Sequence, residues 1–325
     1  MIMPRSIRFI IVQSTALLYV SLLLAGCSSL NKQAAGKLAD QGASVANTIG
    51  QSYQSTSQDL ARYVEGEYLL SGLKPGYSPP DDNMLKSIAT VEGELHSRQQ
   101  MMAGLSDVYT SFGALCTYDA QGEVEKSLGN AVQAGNSLAT LLGGGAISDS
   151  AGKLFAQTTG AIAGQVQAGR IKDASVKIRS LLAGIIFLLQ KSNEQAAIVA
   201  AREEIARDKL KVATTFWADD FATADGILDG QIQSYGLTPN PSALVHASQN
   251  PALKEGVSQV LKWRHQQELA AQADAYQATI QALQKLNTEH ARIEAGEPAD
   301  LGTIQNNLAT IQQYVDLITA VKKGK

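Results

Sequence analysis

The chain has 325 residues, with 27 Lys and Arg against 30 Asp and Glu, and aromatic residues make up only 6% of it. A slightly acidic balance speaks against a nucleic-acid partner, which needs a basic face. Scarce aromatics beside abundant Ala, Gln, Leu and Ser argue against a β-sandwich and for helices, and the length permits one large domain or two small ones.

The first element is a short apolar helix. Arg5 and Arg8 precede an uncharged run, "FIIVQSTALLYVSLLL" from Phe9 to Leu24, which ends in the small residues Ala25 and Gly26. These are the basic, apolar and small-residue parts of a secretory signal. The run makes a helix of about 24 Å, short for a hydrocarbon core of about 30 Å. The next four-residue frame, Leu24-Ala25-Gly26-Cys27, resembles the lipobox of bacterial lipoproteins. That resemblance implies cleavage before Cys27, a diacylglycerol on its thiol and often a further acyl chain on the new amino group. Two or more chains hold a protein stably on a bilayer, where one holds only reversibly. Ser28 and Ser29 lack the aspartate that retains enterobacterial lipoproteins in the inner membrane. The implied location is therefore the periplasmic face of the outer membrane. Residues 1–26 form the cleaved signal and 27–36 a lipidated tether. The helical domain covers 37–325, with a Gly/Ala-rich, low-charge insert at 127–169. Without the signal, 25 basic and 30 acidic residues remain. With Cys27 acylated, Cys116 is the one thiol left, so no internal disulfide forms.

Apolar marks at Leu38, Val45, Ile49 and Tyr53 predict a helix that runs to about Leu73. "KPGYSPPDD" breaks it, and Asp81, Asp82 or Asn83 can cap the next helix. That helix carries Met84, Ile88, Val91, Leu95, Arg98, Met102, Leu105, Tyr109, Phe112 and Cys116 in alternating steps of four and three. Such a stripe requires a partner helix and predicts a buried Cys116 thiol. Arg98 interrupts it, to pair with an acid on a neighbouring helix or lift its head to solvent. Within 127–169 the only charges are Asp149 and Lys153, and Gly160 and Gly164 have the spacing that lets helices approach closely. With the apolar run Leu181–Leu189, this region reads as a helical hairpin in the core or as a segment that enters a membrane.

One long helix is predicted from Ala174 to about Ser234, broken by "YGLTPNPS". Another runs to about Ala295, with the stripe Val257, Leu261, Leu269, Ala273, Tyr276, Ile280, Leu283, Leu286, His290 and Ile293, and Gly296 and Pro298 stop it. A last ladder holds Leu301, Ile304, Leu308, Ile311, Val315 and Ile318. The expected fold is all-α: an elongated, coiled-coil-like antiparallel bundle of four to five long helices.

Chemistry is sparse. His96, His246, His265 and His290 have no metal spacing, and His290 falls on a core stripe. Asp219 and Asp220 in "WADD" are neighbours and point apart on a helix. The glycines before Lys153 lack P-loop spacing, and there is no nucleophile elbow. The expectation is no enzyme, no catalytic residue, no metal and no cofactor, with Cys27 as the one site residue. Two functions remain. One is a structural or adaptor lipoprotein, held to the lipid bilayer through acylated Cys27, that meets an envelope protein through helix–helix contacts. The other is a membrane-inserting protein that uses 127–189; its layout resembles in outline the helical pore-forming toxins of the cytolysin A type. Oligomeric state is open.

Overall fold

The structure is a computed structural model. It describes residues 5–218 and 251–297, with side chains from Lys32, and a few positions beyond (302, 306, 309–313, 315 and 316). It is all-α, with no strand among the described residues. The helices with full described bounds are α1 (Arg5–Leu73), α2 (Asp82–Thr117), α3 (Gln121–Leu141), α4 (Gly145–Phe155), α5 (Gln167–Glu194), α6 (Ala196–Ala218) and α7 (Pro251–Ala295). These seven exceed the four to five expected, because the long helix predicted from Ala174 is divided at Gln195 and the low-charge region supplies two helices of its own, α3 and α4. Helix α1 continues through 27–36, the expected tether, and Ala35 is already buried.

Helix α2 is the centre of the bundle. Asp81 caps it: its carboxylate accepts from the backbone N–H of Asn83 and Met84. The predicted stripe is buried from Ile88 to Cys116, including Arg98. A second row at seven-residue spacing, Glu94, Met101, Val108 and Leu115, is buried as well. Two buried rows mean partners on two sides. Helix α1 covers one side and α3, α5 and α6 the others. The pairing is antiparallel: Gly50 of α1 lies by Met102 and Ala39 by Gly113, while Gly104 of α2 lies by Ala131 of α3 and Ser111 by Ser127. Helix α7 runs antiparallel along α5: Ser175 meets His290, and one turn further along α5 the Arg179 carbonyl accepts from the Asn287 side chain.

The low-charge region packs in the core. Leu128, Leu138, Phe155, Ile171, Leu181, Leu182, Ile185 and Leu188 are all buried. Helices α3 and α4 are joined by Gly143, Gly144 and Gly145, all at positive φ, a path that side chains with a Cβ rarely take. Gly160 and Gly164 are not helix-packing positions. They sit in the 156–166 connector with φ of 108° and 131°. The close approach is elsewhere: Phe155 lies against Gly135 of α3 and Gly184 of α5, where an added Cβ would come within 2.6 and 2.2 Å of its ring. The connector is pinned by polar contacts, with the Ile162 N–H on Glu125 (2.7 Å) and the Ala163 N–H on Asp173 (2.8 Å).

The predicted helix from Ala174 onward starts earlier, at Gln167, and breaks at Gln195, whose backbone is extended. No Gly or Pro marks this break. The Gln195 side chain donates to the Leu142 carbonyl at the end of α3, a tertiary contact that the local sequence does not signal. The predicted stop at Gly226 and Gly230, the "YGLTPNPS" break, Asp219, Asp220 and His246 lie outside the described residues, as do Leu301, Ile304, Leu308, Ile318 and Pro298 of the C-terminal expectations. Ile311 and Val315 of the last ladder are buried, and Gly296 follows α7 at φ 80°.

Candidate binding cavity between α1, α2, α6 and α7

The α7 stripe holds only in part. Val257 is buried near one end, and residues 275–293 supply Ile280, Leu283, Leu286, His290 and Ile293 to the core. Between them, no residue from 258 to 274 is buried; Leu269 is 41% exposed and Ala273 is exposed too. Helix α7 thus stands off from the bundle in its middle while fastened at both ends. At the α6 end, Trp217 packs on Val257 and its indole N–H donates to the Lys254 carbonyl (3.0 Å). Beside Leu269, the positions of the middle that line the gap are long and polar, His265, Glu268 and Gln272, so the helices cannot close on apolar contacts alone.

The gap holds a cavity of about 430 Å³ and a second of about 380 Å³. They share Thr56, Val91, Leu95, Arg202, Leu269 and Gln272 in their walls and so form one cleft. A cross-helix strut borders it: Lys209 of α6 pairs with Asp59 of α1 and with Glu268 of α7 (2.5 Å). Burial alone would lower the Lys209 pKa, but the two carboxylates outweigh it and hold the ammonium charged. His265, beside the strut, is pushed down by burial.

The inner end of the cleft is built on a buried charge cluster. Glu94 of α2 has no exposed surface. It pairs with Arg98 on its own helix and with Arg202 of α6 (2.5 Å), and accepts from the Ser192 hydroxyl (2.5 Å). Burial pushes its carboxyl pKa up, and the two guanidiniums more than offset this and keep it low. Asn193 accepts from both arginines, and Arg98 also sits 5.5 Å from the Tyr53 ring centroid. Arg98 therefore pairs first within its own helix, one turn back, and not with an acid on a neighbour. Its head is buried and does not reach solvent.

Two other polar clusters lie nearby or deeper. Glu67 of α1, 3% exposed, accepts from the Tyr77 hydroxyl and donates to Asp208 of α6, which also accepts from Tyr63 (2.9 Å). Burial, then the Asp208 contact, raises the Glu67 pKa to about 7. Burial would also raise Asp208, but its hydrogen bonds from Glu67 and Tyr63 and the Lys211 charge take it below its ordinary value. His290 is fully buried, with Nδ1 at 3.0 Å from the Ser175 hydroxyl and Nε2 at 3.2 Å from the Tyr109 hydroxyl. Burial lowers its pKa to about 3, so it is a neutral, satisfied core histidine, as its place on the stripe suggests. His96 is exposed on α2.

Cys27 lies outside the residues whose side chains are described. Cys116 is buried, as the stripe predicts, and burial pushes its thiol up to about 12, which suppresses thiolate chemistry. No group of His, Cys, Asp and Glu among the described residues is placed to hold a metal ion. No described helix is long and apolar enough to cross a membrane. Sequence reasoning missed the cleft and its Arg202, Glu94, Asn193 and Lys209. Only Arg98, a charge on an apolar stripe, signalled it. No family model matches the chain, and neither a curated protein nor a solved structure is similar to it.

Proposed function

We propose that this chain is a lipid-anchored cell-envelope protein whose helical body is a non-enzymatic adaptor. The observation that carries the reading is the apolar run Phe9–Leu24 that ends in Leu24-Ala25-Gly26-Cys27. In this reading Cys27 bears the acyl chains and the body stands on the periplasmic face of the outer membrane, as an elongated coiled-coil-like bundle. The adaptor part is supported by an apolar surface remote from the anchor. Leu69 and Leu73, one turn apart near the end of α1, are exposed, as is Tyr68. At 1.5 Å per residue they lie about 65 Å along the helix from Cys27. Exposed apolar surface of this kind suits a helix-in-groove partner.

The test has two parts. Cys27→Ala should release the body from membranes and block lipoprotein processing, as read by fractionation and by mass spectrometry of the N-terminus. A photo-crosslinking amino acid at Leu69 should capture a discrete envelope protein in intact cells, and one at exposed Lys153 should not. Unchanged processing and retention of Cys27→Ala defeats the anchor. Identical crosslinks from both positions defeat the partner surface.

A further inference from the structure

The inner end of the cleft carries a local positive surplus, separated from the acids that line the outer end. Two guanidiniums, Arg98 and Arg202, face one carboxylate, Glu94, and the group that bridges them from the other side is the neutral Asn193 amide. No Asp or Glu among the described residues lines the 380 Å³ part of the cleft. A surplus positive charge in a partly desolvated site is costly unless an anion joins it. Toward the strut the character changes. There Leu60, Val91, Leu95, Ile205 and Leu269 make an apolar wall, and, Arg202 being already engaged at Glu94, the two cations Arg207 and Lys209 face three acids, Asp59, Glu203 and Glu268. The volumes, about 430 and 380 Å³, fall within the range of ligand pockets of roughly 300–1,000 Å³.

We propose that this cleft binds a single-chain amphiphile with an anionic head, of the long-chain carboxylate class, its head at Arg98 and Arg202 and its tail along Leu60, Leu95 and Leu269. The site is separate from Cys27 and from the apolar end of α1, so it does not rest on the anchor or on the adaptor partner. Helix α7 closes one side of the cleft, and its polar middle segment keeps the tail channel from collapsing in the empty protein. The carboxylate head accepts from the guanidinium N–H groups and makes the cluster electrically neutral.

The probe is laurate, titrated below its micelle concentration into the full chain by calorimetry. Dodecanol, dodecyltrimethylammonium and acetate serve as comparisons. Laurate should bind with one-to-one stoichiometry, and more tightly than each of the three. Gln272 borders both parts of the cleft and is exposed, so its variants keep the fold. Gln272→Glu should weaken laurate about tenfold through charge repulsion, and Gln272→Lys should not weaken it. Leu269→Trp should fill the channel and abolish binding while circular dichroism stays helical. The proposal is overturned if laurate does not bind, if the ammonium amphiphile binds as tightly as laurate, if the two Gln272 variants respond alike, or if Leu269→Trp binds like the parent.

Discussion

Glu67 is the residue at which solution pH should act most directly. Its folded pKa of about 7 lies above its ordinary value of 4.5. Below pH 4.5 the group is protonated in both the folded and the unfolded chain and makes no difference. Between 4.5 and 7 the unfolded chain releases a proton that the folded chain keeps, so this group's contribution to stability falls as pH rises through that window. The difference in Tm between Glu67→Gln and the parent should therefore move in favour of the variant by a few degrees from about pH 4.5 to about pH 7.5. Melting curves across that range check it, and a pH-independent difference would refute the shared-proton account of Glu67 and Asp208. His290 acts with the opposite sign. Its pKa is lowered from 6.5 to about 3, so stability falls as pH drops through that interval, and the difference curve cancels this contribution. Phe155 between Gly135 and Gly184 is the other residue-scale feature. Gly184→Ala should cost about 1–3 kcal/mol in urea unfolding, because the ring is enclosed and has nowhere to move. A Phe155→Leu background should recover part of that loss, since the two changes share one contact.

At the scale of the helix, the clearest dependence is the start of α2. Asp81 satisfies two backbone N–H groups that no helical carbonyl can reach. Asp81→Ala should cost about 1 kcal/mol, and Asp81→Asn or Asp81→Ser much less. Chemical denaturation of the three variants distinguishes a cap from a surface charge. Helix α2 itself was largely legible. Its main stripe predicts which residues are buried, and the second row could have been read too, since Met101, Val108 and Leu115 recur at sevens. The break at Gln195 was not legible. The break coincides with a side-chain bond from Gln195 to the end of α3, and nothing within "SNEQAA" favours an extended residue. The middle of α7 misled for a related reason. Leu269 and Ala273 continue a periodic stripe, but periodicity reports which face a helix would bury, not whether a partner is close enough to bury it.

For the whole molecule, the decisive region is 127–189. It is low in charge, yet it is packed against α2 and fastened through Glu125 and Asp173. Its cleavage by trypsin at Lys153, Arg170 and Lys172 should be unchanged by lipid vesicles, and the vesicles should retain an entrapped dye. Lipid-dependent protection together with leakage would replace the adaptor reading with membrane insertion. By itself the sequence determined the helical class, a cap for α2 among Asp81, Asp82 and Asn83, the buried faces of α1 and α2 and the buried Cys116, because these follow from periodicity and local hydrogen bonding. Only the tertiary structure decided that Asp81 is the cap, that the long helix from Ala174 divides at Gln195, that Glu94 binds two arginines, and that α7 stands away from its neighbours to leave a cleft. Those features depend on distances between segments far apart in the chain, and one-dimensional periodicity does not encode them.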